Sequence, residues 1–202
     1  KPIFCDVDER TLNPKAEHIE AKITERTKAV IILHYGGLPA PMDEIMELVS
    51  SRNLYLVEDS ACSVASFYKG RACGTFGDIG VWSFDAMKIL VTGDGGILYV
   101  QETKMAKHAE HLLYLGLVSK SGLEKTGSVD EKWWEYDISC YGRRAIISDI
   151  TAAMGLEQLK KLSGFIDRRR KVYFMYNEGL KSFDWIRLPP EVPEHCESSY
   201  YF

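Results

Sequence analysis

The order of apolar and polar positions along the chain predicts strands that alternate with helices. Short apolar runs between glycine or acidic residues are typical of buried strands. They occupy residues 3–7, 29–34, 54–57, 79–84 and 97–100. Longer segments with apolar residues at helical spacing predict helices, and these occupy residues 16–23, 41–51, 105–115, 148–162 and 165–180. The alternation predicts an α/β fold in which a mostly parallel sheet lies between helices on both faces.

The second half of the chain indicates a change of domain. A long polar connection spans residues 116–133, and two helices then follow each other almost directly. After them, the aromatic and proline-containing stretch at residues 183–190 is typical of the entry into another domain. We therefore predict a large domain at residues 1–162. A connecting helix and the start of a smaller C-terminal domain are predicted at residues 163–202.

Composition is that of an ordinary globular protein and argues against several classes of partner. Of the 202 residues, 46% are hydrophobic and 27% are charged, which is enough apolar material for a substantial core. The net charge of −4 favours neither nucleic acid nor an anionic membrane as a partner. The arginine triplet at residues 168–170 is too short to reverse that balance. No apolar run approaches the roughly 18 residues of a membrane span.

Cysteine usage predicts a cytoplasmic protein. The five cysteines are an odd number and form no CxxC pair. This pattern fits reduced thiols better than it fits a disulfide framework or a zinc site.

One lysine stands in surroundings suited to covalent chemistry. Lys88 follows the apolar run at residues 79–84 and precedes a glycine-rich turn at residues 92–96, so it lies on a loop between two predicted core strands. Partial loss of solvation there favours the neutral amine, which is the form that attacks a carbonyl to give a Schiff base. The alternative is a loop lysine whose ammonium group stays in solvent.

Asp59 and Ser83 also end predicted core strands, and in a parallel sheet ligands bind beyond the carboxyl ends of the strands. A carboxylate at the end of an apolar strand needs a positive partner. For Asp59 that partner is the protonated ring nitrogen of a pyridine cofactor such as pyridoxal phosphate, and the alternative role is a helix N-cap. The Ser83 hydroxyl suits a phosphate oxygen, and the alternative is a buried bond to the backbone.

An acid after one strand, a serine and a lysine after the next, and a glycine-rich turn together resemble the sugar aminotransferases of the DegT/StrS family. These are fold-type I pyridoxal phosphate enzymes. The matching stretches cover almost the whole chain in order and include VEDSA at residues 57–61, the segment at residues 83–96, and DITAAMGLEQL at residues 149–159. The resemblance implies that the large domain is aspartate-aminotransferase-like.

The resemblance also implies a role for each candidate residue. By this resemblance, Lys88 forms a Schiff base with pyridoxal 5'-phosphate, Asp59 pairs with the pyridine nitrogen, and Ser83 helps to hold the phosphate. It implies a homodimer in which each active site is completed by the partner subunit. The expected reaction transfers an amino group from an amino-acid donor, glutamate, to a nucleotide-linked keto sugar.

Three departures from the family pattern bear on this site. Cys62 stands where the family has a glutamine near the ring oxygen of the cofactor. Arg144 replaces the asparagine that reaches across the dimer to the phosphate. Its forked cation suits a phosphate, and the alternative is an ordinary surface or interface arginine. Compared with the family, an amino-terminal part that carries a further phosphate-binding loop, and much of the small domain, are expected outside these 202 residues.

Two other functions remain open from the sequence. Sugar 3-dehydratases of the same family have a histidine at the position of Lys88, so the lysine argues against that activity. A non-catalytic dimeric regulator on the same fold is favoured by Cys62 and disfavoured by the presence of Asp59, Ser83 and Lys88.

Overall fold

The computed structural model describes residues 1–118 and 137–200 of the chain. The strands are β1 (Ala29–Leu33), β2 (Tyr55–Asp59), β3 (Phe67–Tyr68), β4 (Arg71–Ala72), β5 (Ile79–Ser83), β6 (Gly96–Val100) and β7 (Cys196–Glu197). The helices are α1 (Ala16–Glu20), α2 (Met42–Ser51), α3 (Thr103–Leu113) and α4 (Asp149–Leu180). The chain divides into two compact units, of which the first comprises Lys1–Tyr99 with Asp149–Phe202 and the second Val100–Ser148.

The first unit is built on a four-stranded sheet in the order β1-β2-β5-β6. Strands β1, β2 and β5 run parallel, with Leu33 opposite Asp59 and Asp59 opposite Val81. The predicted α/β fold with a mostly parallel sheet is therefore confirmed. Among the described strands β6 lies at the edge of this sheet, and its Ile97 is 54% exposed, so β6 is not the buried core strand that was predicted.

Helices α1 and α2 cover one face of this sheet. Their apolar residues pack with alternate residues of β1 and β2, since successive side chains of a strand point to opposite faces. The buried members of this core are Ile19, Val30, Ile32, Ala40, Met42, Ile45, Leu48, Val49, Leu56, Tyr68 and Cys196. On the other face Ile31 is 73% exposed, and Tyr55 and Val81 are exposed as well. Helices were predicted on both faces, but within residues 1–118 and 137–200 no helix covers these side chains.

A small second sheet in the first unit, in the order β4-β3-β7, was not predicted. Strands β3 and β4 form a hairpin whose two turn residues, Lys69 and Gly70, both have positive φ (49° and 75°). This is the backbone that a tight two-residue hairpin turn requires. Strand β7 pairs antiparallel with β3, which attaches the C-terminal segment of the chain to the hairpin.

Helix α4 runs unbroken for 32 residues, so the prediction of two helices separated near residues 163–164 is wrong. A glycine inside a helix costs only about 1 kcal/mol relative to alanine, and Gly164 does not end this one. The predicted domain boundary between residues 162 and 163 falls inside α4 and stays a prediction. Among the residues that the structure describes, no helix is both long enough and apolar enough to cross a membrane.

The amino-terminal segment differs from its prediction. Residues 3–7 form no strand, and Phe4 is 87% exposed. A strand requires a neighbouring backbone to satisfy its N–H and C=O groups. Within residues 1–118 and 137–200, no strand pairs with this segment.

The second unit contains helix α3, which begins earlier than predicted because Glu102 caps it. The Glu102 carboxylate accepts hydrogen bonds from the backbone N–H groups of Lys104 and Met105. Beyond the helix, isolated bridges join Tyr114 to Arg144 and Leu117 to Ile138. Most of the predicted polar connection at residues 116–133 lies outside the described residues.

Candidate functional site

Asp59 and Ser83 lie at the carboxyl ends of two neighbouring strands, as predicted. Asp59 is the last residue of β2 and stands opposite Val81 of β5. Ser83 ends β5 two residues further on. Because side chains two residues apart on a strand share a face, Asp59, Val81 and Ser83 lie on the same face of the sheet. This is the face opposite to the helix-covered core.

The structure decides against one alternative role for Asp59. Residues 60–66 form turns, so no helix begins after Asp59 for it to cap. Its Oδ1 accepts a hydrogen bond from the backbone N–H of Ala61 at 3.0 Å. Its Oδ2 receives no hydrogen bond within the described part of the chain. The side chain is half-buried and has one carboxylate oxygen available for a ligand.

Lys88 lies on a closed loop that connects β5 to β6. The loop is closed by hydrogen bonds from the Phe84 N–H to the Gly95 carbonyl (2.9 Å) and from the Thr92 N–H to the Phe84 carbonyl (3.0 Å). Inside it, the Lys88 side chain is half-buried. Its Nζ donates to Sγ of Cys62 at 3.6 Å. Two of the residues predicted for the site are thus brought into direct contact.

A small apolar cluster fixes this loop against the turns that carry Cys62. Its buried residues are Ile89 and Leu90, which directly follow Lys88, and Leu162 of α4. Val64 and Ala65, which lie just after Cys62, pack against them. The amine and the thiol are therefore positioned by apolar packing on both sides of the contact.

Ser83 is half-buried, so the alternative of a fully buried serine is not observed. Its Oγ accepts a weak hydrogen bond from the backbone N–H of Asp85 at 3.3 Å. The hydroxyl hydrogen is left to donate to a ligand.

Arg144 belongs to the second unit, where its side chain is exposed. Its backbone forms the bridge with Tyr114, and the neighbouring Ala145 N–H donates to the Leu113 carbonyl at 2.9 Å. The segment is therefore attached to the end of α3. The role of Arg144 at a cofactor phosphate stays a prediction.

A buried acid–imidazole pair beside the site was missed from the sequence. His34 and Glu58 are both fully buried, and His34 Nε2 lies 3.0 Å from Glu58 Oε2. Glu58 also accepts hydrogen bonds from the backbone N–H groups of Gly77 (2.6 Å) and Gly74 (2.7 Å). Burial alone raises the pKa of Glu58, but the hydrogen bonds from His34, Gly77 and Gly74 outweigh it and leave the pKa below its ordinary value.

The sequence held a signal for this pair. Glu58 and His34 each belong to or directly follow an apolar strand, and Glu58 stands opposite Ile32, two residues before His34. A charged residue on the core face of a strand requires a buried partner. Through this pair the glycine-containing loop at residues 74–77 is joined to the strand residue that precedes Asp59.

The arrangement as a whole offers three kinds of chemistry at one end of a sheet. Lys88 supplies a primary amine in partly desolvated surroundings, which is the requirement for carrying a carbonyl compound. Asp59 supplies an anion that can balance a cationic ring nitrogen, and Ser83 supplies a hydrogen-bond donor for an anionic group.

Comparison with known proteins places the chain in a family. The chain matches the DegT/DnrJ/EryC1/StrS aminotransferase family over residues 1–202. It is 48% identical over 202 residues to dTDP-4-dehydro-2,3,6-trideoxy-D-glucose 4-aminotransferase of Saccharopolyspora spinosa, an alignment that covers 100% of this chain and 52% of that protein.

Two solved structures share its fold. The aminotransferase TlmJ from Streptoalloteichus hindustanus is similar with a TM-score of 0.91 at 49% identity, over 100% of this chain and 52% of that one. The sugar aminotransferase CalS13 from Micromonospora echinospora gives a TM-score of 0.83 at 27% identity, over 98% of this chain and 53% of that one. The chain thus spans about half the length of the relatives that it matches. By sequence and by fold, it belongs to the DegT/DnrJ/EryC1/StrS aminotransferase family.

Proposed function

We propose that the intact protein is a pyridoxal phosphate-dependent aminotransferase that converts a nucleotide-linked keto sugar to an amino sugar. The observation that carries the proposal is the half-buried amine of Lys88 on a closed loop beyond β5, with the Asp59 carboxylate at the end of the neighbouring strand β2. Membership of the family over residues 1–202 supports it.

The residues present fit this cofactor in kind. Pyridoxal phosphate has an aldehyde, a basic ring nitrogen and a phosphate group, which require an amine, an anion and hydrogen-bond donors. Lys88 is the amine, and Ser83 is one donor. Asp59 is the anion, and its Oδ2 accepts no hydrogen bond from the residues that the structure describes. Cys62 is included among the cofactor-binding residues because its Sγ contacts Lys88 Nζ.

In this mechanism the cofactor supplies an electron sink, and the chain supplies positioning and proton transfer. Lys88 would hold the cofactor through its amine, which the amine of the donor would replace. The Lys88 amine would then be placed to act as the base that takes the proton from the α-carbon of the donor. Asp59 would keep the ring nitrogen protonated, and Ser83 would orient the phosphate. The same groups act in the reverse order when the amino group passes to the sugar ketone.

The substrate that we infer is a dTDP-linked 4-keto deoxysugar, with glutamate as the amino donor. The inference draws on the Saccharopolyspora spinosa relative, whose name specifies that class of sugar and amination at carbon 4. Lys88 supports an aminotransferase rather than a dehydratase, because the family's sugar 3-dehydratases have a histidine at this position.

The proposed assembly is a homodimer with shared active sites in the cytoplasm. In it, Arg144 of one subunit donates hydrogen bonds to the phosphate bound in the other. The five free cysteines are compatible with a reducing compartment.

Absorption spectroscopy of the intact protein tests the proposal. With pyridoxal phosphate bound, the protein should absorb in the visible, and borohydride should abolish that band and fix the cofactor on Lys88. Added glutamate should convert the spectrum to that of pyridoxamine phosphate, and a dTDP-linked 4-keto sugar should restore it. A pyridoxal phosphate adduct on Lys69 or Lys104 would contradict the assignment of Lys88. A bound cofactor that never responds to any amino donor would favour the non-catalytic regulator.

A further inference from the structure

The contact between Lys88 and Cys62 has a chemical consequence separate from cofactor binding. A primary amine and a thiol face each other at 3.6 Å between Nζ and Sγ, and both side chains are half-buried. An amine at this distance from a sulfur atom is a potential nucleophile for that sulfur once the sulfur has been oxidised.

The backbone on the cysteine side is held in place. The Cys62 carbonyl accepts a hydrogen bond from the Ser199 hydroxyl at 3.1 Å, and the Ser63 N–H donates to the Ser60 carbonyl at 3.0 Å. On the lysine side, the Lys88 N–H donates to the Asp85 carbonyl at 2.9 Å. With the backbone held on both sides, the approach of nitrogen and sulfur has to come from rotation of the two side chains.

The other cysteines of the chain lack this combination of features. Burial raises the pKa of the Cys196 thiol to about 11 and raises that of Cys73 further, so both stay as unreactive thiols. Cys5 and Cys140 are half-buried. Neither has a lysine amine among its hydrogen-bond partners in the described part of the chain.

We propose that Cys62 and Lys88 form an oxidation site in which peroxide joins the two side chains through a sulfur–nitrogen bond. Hydrogen peroxide first oxidises the Cys62 thiol to a sulfenic acid, and one water is released. The neutral Lys88 amine then attacks the sulfur, the S–O bond breaks, and the hydroxyl leaves with an amine proton as a second water. Sulfur loses two electrons, peroxide gains them, and the protein loses two hydrogen atoms.

This bond occupies the amine that carries the cofactor in the proposed function. Oxidation then blocks cofactor binding until a thiol reductant cleaves the bond and restores both side chains. Bound cofactor, in turn, occupies the amine and protects it. The regulatory consequence rests on the proposed function, whereas the bond itself rests only on the contact between Cys62 and Lys88.

Mass spectrometry of the intact protein, freed of cofactor and treated with hydrogen peroxide, tests the inference. The expected product is the peptide with Cys62 joined to the peptide with Lys88, lighter than their sum by two hydrogen atoms and separated again by dithiothreitol. The Cys62→Ser variant should lose this product altogether, and the matched Cys140→Ser variant should retain it. In Lys88→Arg, Cys62 should instead stop at the sulfenic or sulfinic acid. Far-ultraviolet circular dichroism establishes that each variant is folded.

Several outcomes would overturn the inference. One is oxidation of Cys62 in the wild type without a bond to Lys88. Another is a bond between Cys62 and a different residue. Pre-loading with pyridoxal phosphate separates this inference from the proposed function. A cross-link that forms to the same extent with and without the cofactor would support the Cys62–Lys88 bond and contradict the proposed role of Lys88.

Discussion

The imidazole of His34 and the carboxylate of Glu58 meet at 3.0 Å in the interior, on the face of the sheet opposite to Asp59. Glu58 and Asp59 are consecutive residues, and the strand directs one into the core and the other toward the candidate site. The Glu58 carboxylate is held by the His34 ring and by two backbone N–H groups. The acid beside the site is therefore structural, and the next acid is the candidate for chemistry.

Replacement of Glu58 by glutamine should destabilise the protein strongly. Glutamine carries no charge at this position. Its NH2 group would face an N–H donor of His34, Gly74 or Gly77 and could not accept a hydrogen bond from it. A buried donor that loses its acceptor costs about 1–3 kcal/mol, and more where the acceptor was charged. Urea unfolding of the intact protein measures this cost. Glu47→Gln, at an exposed position of α2, is the matched control and should change the free energy of unfolding by less than about 0.5 kcal/mol. Equal stabilities of the two variants would contradict the role of Glu58.

The contribution of Glu58 should also depend on pH. Its pKa in the folded protein lies below the ordinary value of 4.5, so the unfolded chain takes up the proton more readily. The stabilisation is therefore fully present above pH 4.5 and is lost as the pH falls through the lower folded pKa. The difference in unfolding free energy between wild type and Glu58→Gln should shrink progressively below that pH. A difference that grows on acidification would contradict the sign of the shift.

Replacement of Gly80 by alanine should also destabilise the fold. A Cβ at Gly80 would lie 1.7 Å from the Gly74 carbonyl oxygen, so one of two backbone segments must move. Overpacking of this kind costs about 1–3 kcal/mol or more. Gly164→Ala is the matched control, because nothing lies within 4 Å of that added Cβ inside α4. It should stabilise the protein by about 0.5–1 kcal/mol. Thermal unfolding of the two variants should give shifts of opposite sign.

Asp59→Asn should retain the fold and most of the cofactor but lose most of the transaminase turnover. The side chain is nearly isosteric, and its oxygen still accepts the hydrogen bond from Ala61. The charge that keeps the ring nitrogen protonated is absent. Steady-state kinetics and the visible spectrum measure the two effects separately. Turnover near the wild-type rate would limit Asp59 to its local hydrogen bond.

Subunit mixing tests the prediction that Arg144 serves the site of the partner. Lys88→Ala homodimers should be almost inactive, and Arg144→Ala homodimers should bind pyridoxal phosphate more weakly. Each charge-assisted hydrogen bond to the phosphate contributes about 1.5–3 kcal/mol. In a mixed dimer one site carries both substitutions and the other neither. At cofactor concentrations too low for the Arg144→Ala homodimer, the mixture should regain up to about half of the wild-type activity per mixed dimer.

The outcome of that mixing is informative in either direction. Recovery requires that Lys88 and Arg144 of one functional site come from different chains. No recovery, once subunit exchange has been demonstrated by mass spectrometry, would mean that Arg144 acts within its own chain or does not contact the phosphate. The Lys88→Ala homodimer mixed with wild type provides the control for exchange.

The spacing of apolar residues predicted which helices and strands form better than it predicted where they begin and end. Helix α2 begins within one residue of its prediction because its apolar face and its neighbours are all local in sequence. Residues 3–7 carry a similar apolar signal yet form no strand, since a strand depends on a neighbouring backbone that the pattern does not reveal. Helix α4 continues through Gly164 because Leu162, Phe165 and Ile166 on either side of that glycine pack in the same cluster.

The sequence by itself determined the α/β order and the positions of Asp59, Ser83 and Lys88 beyond core strands. These properties follow from periodicity and from the rule that parallel strands end at one edge of a sheet. Only the tertiary structure decided the pairing of His34 with Glu58 and of Lys88 with Cys62, whose partners lie 24 and 26 residues apart. Such contacts depend on strand register and on loop packing, which join residues that no local pattern relates.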